Sequence, residues 1–144
     1  MKKKLKIAAI AAIVLFVVIQ LVPIRRTNPP VTGDMPAPVE VKAILKGACY
    51  DCHSHETVWP WYSRVAPVSW LVAADVSGGR RKLNFSTWDQ YIPKKRSFLL
   101  DDASEEIEKR DMPPLPYRLI HKSARLTHEQ VDTLTDWLKT QSGA

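Results

Sequence analysis

Cys49-Tyr50-Asp51-Cys52-His53 is the segment that most restricts what this chain can become. It holds both cysteines of the 144-residue sequence, and two of the four histidines, His53 and His55, follow at once. Residues three apart share one face of a helix, so the two thiols present together and the next imidazole reaches the same region. Zinc, a redox disulfide and a covalent haem are the chemistries that use such a set. A structural zinc site wants four ligands, commonly as two separated pairs, and no further cysteine exists. A redox C-x-x-C belongs beside a βαβ unit. A structural disulfide has no use for the adjacent imidazole. C-x-x-C-H is the attachment pattern of haem c. On that reading Cys49 and Cys52 form thioethers to one covalent haem and His53 is the proximal iron ligand. His55, two residues on, is expected to be a polar bystander.

The N-terminus points to export. Lys2, Lys3, Lys4 and Lys6 precede an uncharged run from Ile7 to Ile24. Eighteen helical residues span about 27 Å, near the ~30 Å hydrocarbon core. No small-residue cleavage pattern follows, so an uncleaved signal anchor is expected rather than a removed signal peptide. Four lysines before the run against Arg25 and Arg26 after it keep the N-terminus in the cytoplasm and put the rest on the extracytoplasmic, periplasmic face. The first 26 residues carry six of the 21 Lys and Arg and none of the 15 Asp and Glu. The remainder is therefore formally neutral, and nucleic acid is not an expected partner.

Three parts are expected: an anchor over 1–26, a linker over 27–38 and a haem domain over 39–144. The linker carries prolines at 29, 30, 36 and 38, which favour an extended spacer. Beyond it the apolar periodicity is helical. Val41, Leu45, Ala48 and Cys52 form one stripe. Pro67 opens a second helix that Gly78 or Gly79 would end. "FSTWDQY" suggests a turn capped by Ser86. Leu99, Ala103 and Ile107 mark another helix. Thr127 and Gln130 fit a capping box ahead of Val131, Leu134 and Leu138, with Trp137 beside them. No alternating strand appears, so the expected fold is all-α.

The far side of the iron has four candidates: Met35, Met112, His121 and His128. Met35 falls in the linker and His128 at the start of the last helix, facing solvent. Met112 stands in "RDMPPLPY", where Pro113, Pro114 and Pro116 hold an extended strap. Methionine is an established partner of histidine in cytochromes c, which makes Met112 the expected distal ligand. His121 is the runner-up.

The order of "CYDCH", a long middle, "MPP" and a terminal helix with "DWLK" resembles class I cytochromes c. The chain is more closely similar to the haem-binding domain family of cytochrome-c-like bacterial proteins. "CYDCHSHETVWPWYSRVAPVSWLV", "GRRKLNFSTW" and "MPPLPYRLIHKSARLTHEQVDTLTDWL" carry that likeness. It implies a covalent haem with His53 proximal and Met112 distal. It also implies a proline carbonyl accepting from His53 Nδ1, with Pro67 or Pro60 in position.

Trp59, Trp61, Tyr62 and Trp70 follow within 17 residues of His53 and, with Pro67, are the expected haem-pocket wall. The basic runs Gly79–Lys82 and Lys94–Arg96 are expected to be solvated, with propionate binding or steering of an acidic partner as the rival reading. The expected function is a membrane-tethered monohaem cytochrome that passes single electrons to a redox partner protein, not an enzyme. The alternative is a haem sensor, small-ligand binder or peroxidase with an open or displaceable sixth position.

Overall fold

A computed structural model describes residues 1–143, and it is helical with no strand among them. Seven α-helices occur: α1 (Lys2–Ile19), α2 (Val39–Ala48), α3 (Tyr50–His53), α4 (Val68–Lys82), α5 (Pro93–Glu108), α6 (Leu115–Ile120) and α7 (His128–Ser142). Short 3-10 turns cover Trp61–Arg64, Trp88–Gln90 and Lys122–Ala124.

The core lies between α2, α5 and α7. Leu45, Leu99, Leu100, Ile107, Leu134 and Leu138 are buried there. Each such side chain removed from water contributes about 1.5–3 kcal/mol before its ordering cost. The expected stripes of α5 and α7 are present, Ala103 being only partly buried. The capping box of α7 forms on both sides: Thr127 Oγ1 accepts from Gln130 N, and Gln130 Oε1 accepts from Thr127 N.

Three local expectations need correction. The first stripe is divided between two helices, because the chain breaks at Cys49 (φ −123°, ψ −34°). The Cys49 carbonyl then accepts from the amides of Cys52 and His53 and starts α3. Helix α4 does not stop at its glycines but runs through both to Lys82. Gly79 serves close approach instead, since a Cβ there would lie 2.4 Å from the Cys52 carbonyl oxygen. Ser86 is not a cap; it is buried, and its hydroxyl accepts from the His55 amide.

The proline-rich segment is extended, as expected, but it is docked rather than free. The Thr32 and Gly33 amides bond to Ser86 O and the Met35 amide to Phe85 O. Met35 is 1 % exposed in the core. Asp34 accepts from Tyr50 Oη (2.6 Å) and from Lys42 Nζ (2.8 Å).

Helix α1 is shorter than the uncharged run. It ends at Ile19, and after Lys2–Lys6 it leaves thirteen residues, Ile7–Ile19, of apolar helix, about 20 Å long. Among the described residues no helix is long and apolar enough to cross a membrane. The reason lies at Gln20. Its side chain donates to Ala66 O and accepts from Ala66 N, while Arg26 donates to Ser63 O. The chain is drawn onto the loop before α4 where a longer helix would have continued.

Candidate cofactor site

A cavity of about 300 Å³ opens between α2, α3, α4 and α5. Cys49, Cys52 and His53 line one side. Met112, Pro113 and Pro114 line it as well, from the strap after α5. Leu45, Phe85, Leu99, Ile107 and Leu138 make much of the remaining wall apolar, and Asp75, Lys82, Asp102 and Glu106 supply charge. The two thiols, the His53 imidazole and the Met112 side chain thus share one largely apolar space.

His53 is oriented by the backbone. Its Nδ1 donates to Leu83 O at 3.0 Å, so the carbonyl partner is Leu83 and neither Pro67 nor Pro60. Leu83 follows directly on α4, which Gly79 allows to lie against Cys52. Burial holds the imidazole below its ordinary range, against the opposing pull of its backbone hydrogen bonds. It is therefore neutral at pH 7, with Nε2 carrying the lone pair. Backbone hydrogen bonds to Leu83 and Gly79 hold the ring in place, the kind of orientation a metal ligand needs.

The thiols argue against dithiol redox chemistry. Burial and then the neighbouring Cys52 push Cys49 up to about 12; burial, with Asp75 and Asp51, pushes Cys52 up to about 11. A redox-active C-x-x-C needs a lowered thiol. No group of three or more His, Cys, Asp or Glu able to hold a metal ion occurs among the described residues, so the zinc reading has no ligand set.

The remaining candidates lie elsewhere. His121 Nε2 meets the Tyr62 hydroxyl and its ring stacks on Tyr117 at 4.1 Å, and it does not line the cavity. His55 bonds Pro30 O through Nδ1 (2.9 Å) and takes Asn84 Nδ2 at Nε2 (2.8 Å), a bystander that pins the docked segment. His128 is exposed against Arg110.

Trp59, Trp61, Tyr62, Pro67 and Trp70 are absent from the cavity wall. Trp61 is 78 % exposed, and Trp59 Nε1 donates to Asn28. They follow His53 in sequence, but the chain turns away after Ser54, and α5 and the strap close the cavity instead. Tyr117, not anticipated, lines the cavity and donates to Asp51. Its signal was present: it ends the "MPPLPY" strap. The expected solvation of Gly79–Lys82 also fails at Arg80. That guanidinium donates to Ser54 O, Thr27 O, Asn28 and Thr57.

A largely apolar cavity that presents two thiols, an imidazole and a thioether suits an apolar metal-bearing cofactor. The model of one family, described as a haem-binding domain, matches residues 14–140. The chain belongs to this family and binds haem. The match begins inside α1 and takes in the whole docked segment. No curated protein and no solved structure matches the chain.

Proposed function

We propose that this protein is a membrane-anchored monohaem c-type cytochrome that passes single electrons between redox partner proteins on the extracytoplasmic face. One observation carries the reading: Cys49, Cys52, His53 and Met112 line the same apolar cavity. Cys49 and Cys52 would hold the haem through thioethers, His53 Nε2 would bind the iron on one face and Met112 Sδ on the other. A bound haem supplies a one-electron iron couple whose potential follows the axial pair and the burial. The chain's residues orient His53 through Leu83 O and exclude water with Leu45, Leu99 and Leu138.

Anchoring is supported by α1. Every residue from Ile7 to Val18 is exposed, an apolar surface with no protein to cover it. Lysines can snorkel at one end, and Leu21–Ile24 extend the apolar run at the other, which brings the short helix closer to the bilayer thickness.

The test is expression with the cytochrome c maturation machinery, followed by oxidised and reduced spectra. A pyridine haemochrome of the two-thioether type is expected. A sulfur–iron charge-transfer band is expected in the oxidised protein and should vanish in Met112→Ala. Haem that washes out of a properly matured sample sinks the covalent reading. Ready binding of carbon monoxide to the reduced wild type, with no sulfur–iron band, transfers the protein to the ligand-binding class. Protease protection in spheroplasts decides the topology.

A further inference from the structure

A second cavity, of about 390 Å³, lies across the strap from the haem cavity and shares Met112 and Pro113 with it. Arg110, Arg118 and Arg125 all line it. None of the three has a carboxylate partner: every salt bridge among the described residues uses a lysine. Their hydrogen bonds go to backbone carbonyls and one histidine ring. Arg110 donates to Leu126 O and meets His128 Nδ1; Arg118 donates to Arg110 O; Arg125 donates to Arg118 O and Leu119 O. Arg118 Nε is buried with no partner at all. Arg110 sits at φ 61°, the left-handed position that closes the C-terminus of α5.

Three guanidiniums lining one concavity give it a positive potential that attracts an anion. A guanidinium with open donors is matched to carboxylate oxygens. The rest of the lining is apolar. Ala124 and Val131 are buried, Leu126 is half-buried, and Leu115 and Leu119, both largely exposed, form the rim. We infer that this cavity binds a small carboxylate carrying a short hydrocarbon tail, its oxygens on the arginines and its tail against the leucines. The bound molecule would stand directly behind the strap that carries Met112. The site is independent of how the haem is attached and of any electron-transfer role.

The test is calorimetric titration of the full-length, haem-loaded protein at low ionic strength with hexanoate and with acetate. Hexanoate should give one saturable isotherm, at least about tenfold tighter than acetate because its added methylenes leave water. Arg118→Gln and Arg125→Gln should each weaken it by about tenfold or more. Arg81→Gln, whose side chain donates only to Ser77, should change nothing. Arg125 is exposed, so its variant folds even if Arg118→Gln does not. No uptake of hexanoate by the haem-loaded wild type, which is also the result if a haem propionate fills the cavity, overturns the inference. So does equal affinity for acetate, or full binding in Arg125→Gln.

Discussion

The Tyr117 hydroxyl donates to Asp51 Oδ2 at 2.6 Å, joining α6 to one of the two residues between the cysteines. Asp51 Oδ1 accepts from the Val58 amide (2.8 Å), so the carboxylate is held from both sides. Met112 lies five residues before Tyr117 in the strap. The contact therefore ties the Cys49–Cys52 segment to the chain that follows Met112. Tyr117→Phe keeps the ring stacked on His121 and removes only the hydroxyl. Stability should fall by about 1–2 kcal/mol, and the strap should lift more readily. Stopped-flow mixing of the reduced protein with carbon monoxide checks this: the variant should bind faster than wild type, and an unchanged rate would separate Tyr117 from control of the strap.

Gly79 gives a second prediction. Its missing side chain is what lets α4 meet the backbone of Cys52, where a Cβ would lie 2.4 Å from the carbonyl oxygen and 2.9 Å from the carbonyl carbon. The obstacle is backbone, so no rotamer change relieves it. Gly79→Ala should cost about 1–3 kcal/mol or more and shift Leu83 O away from His53 Nδ1, reducing haem incorporation. Gly47 in α2 is the matched control, because a Cβ there meets Ser123 no closer than 3.6 Å. Gly47→Ala should stabilise the protein by about 0.5–1 kcal/mol. Melting temperatures and haem content of the two variants measure the contrast.

These two contacts show where the sequence was informative and where it was not. That Cys49, Cys52, His53 and Met112 deserve to be considered together, as their shared cavity shows, was legible because their spacing and their proline neighbours are local features. The stripe Val131, Leu134 and Leu138 and the capping box at Thr127 were legible for the same reason. The partner of His53 was not. Leu83 contributes a carbonyl, which every residue owns, and its position depends on how closely α4 approaches α3. The tryptophans after His53 were assigned to the pocket by sequence proximity, whereas the wall comes from α5, thirty and more residues further on. Proline content made residues 27–38 look like a spacer. Their docking rests partly on backbone hydrogen bonds to Phe85 and Ser86, which leave no side-chain signature, and partly on Met35, Asp34 and Asn28, whose partners lie far along the chain. Helix α6 was hidden because Pro116 reads as a breaker, yet it sits in the first turn, where the missing N–H costs nothing.

Asp34 makes stability depend on pH. Burial alone would raise its carboxyl, but hydrogen bonds from Lys42 and Tyr50 outweigh it and hold the group below its ordinary value of 3.8. The folded value is thus below the unfolded one. The contribution is complete above the unfolded value and disappears as pH falls through the folded value. The carboxylate is 40 % exposed, which keeps the effect to about 1 kcal/mol or less at neutral pH. Asp34→Asn should therefore melt a few degrees below wild type at pH 7, and the gap should close as the pH falls below 3.8. A gap that persists unchanged into strong acid would mean that the carboxylate charge contributes nothing.

Arg80 supports the other end of the docked segment. Its Nε donates to Ser54 O at 2.7 Å, its Nη1 to Thr27 O at 2.8 Å, and its Nη2 to Asn28 Oδ1 and Thr57 Oγ1 at 3.0 and 2.9 Å. One planar group thus binds the residue after His53, the segment leading from α1, and the loop beyond. A lysine has the charge but not the fork, and cannot reach these acceptors in three directions at once. Arg80→Lys should therefore recover little of what Arg80→Met loses, about 2–4 kcal/mol for the several acceptors left without a donor. Release of the segment around Thr27 and Asn28 should accompany the loss, seen as new proteolytic cleavage there before the haem domain itself is cut. If Arg80→Lys behaves as wild type in both melting and proteolysis, charge rather than the shape of the guanidinium holds the segment down.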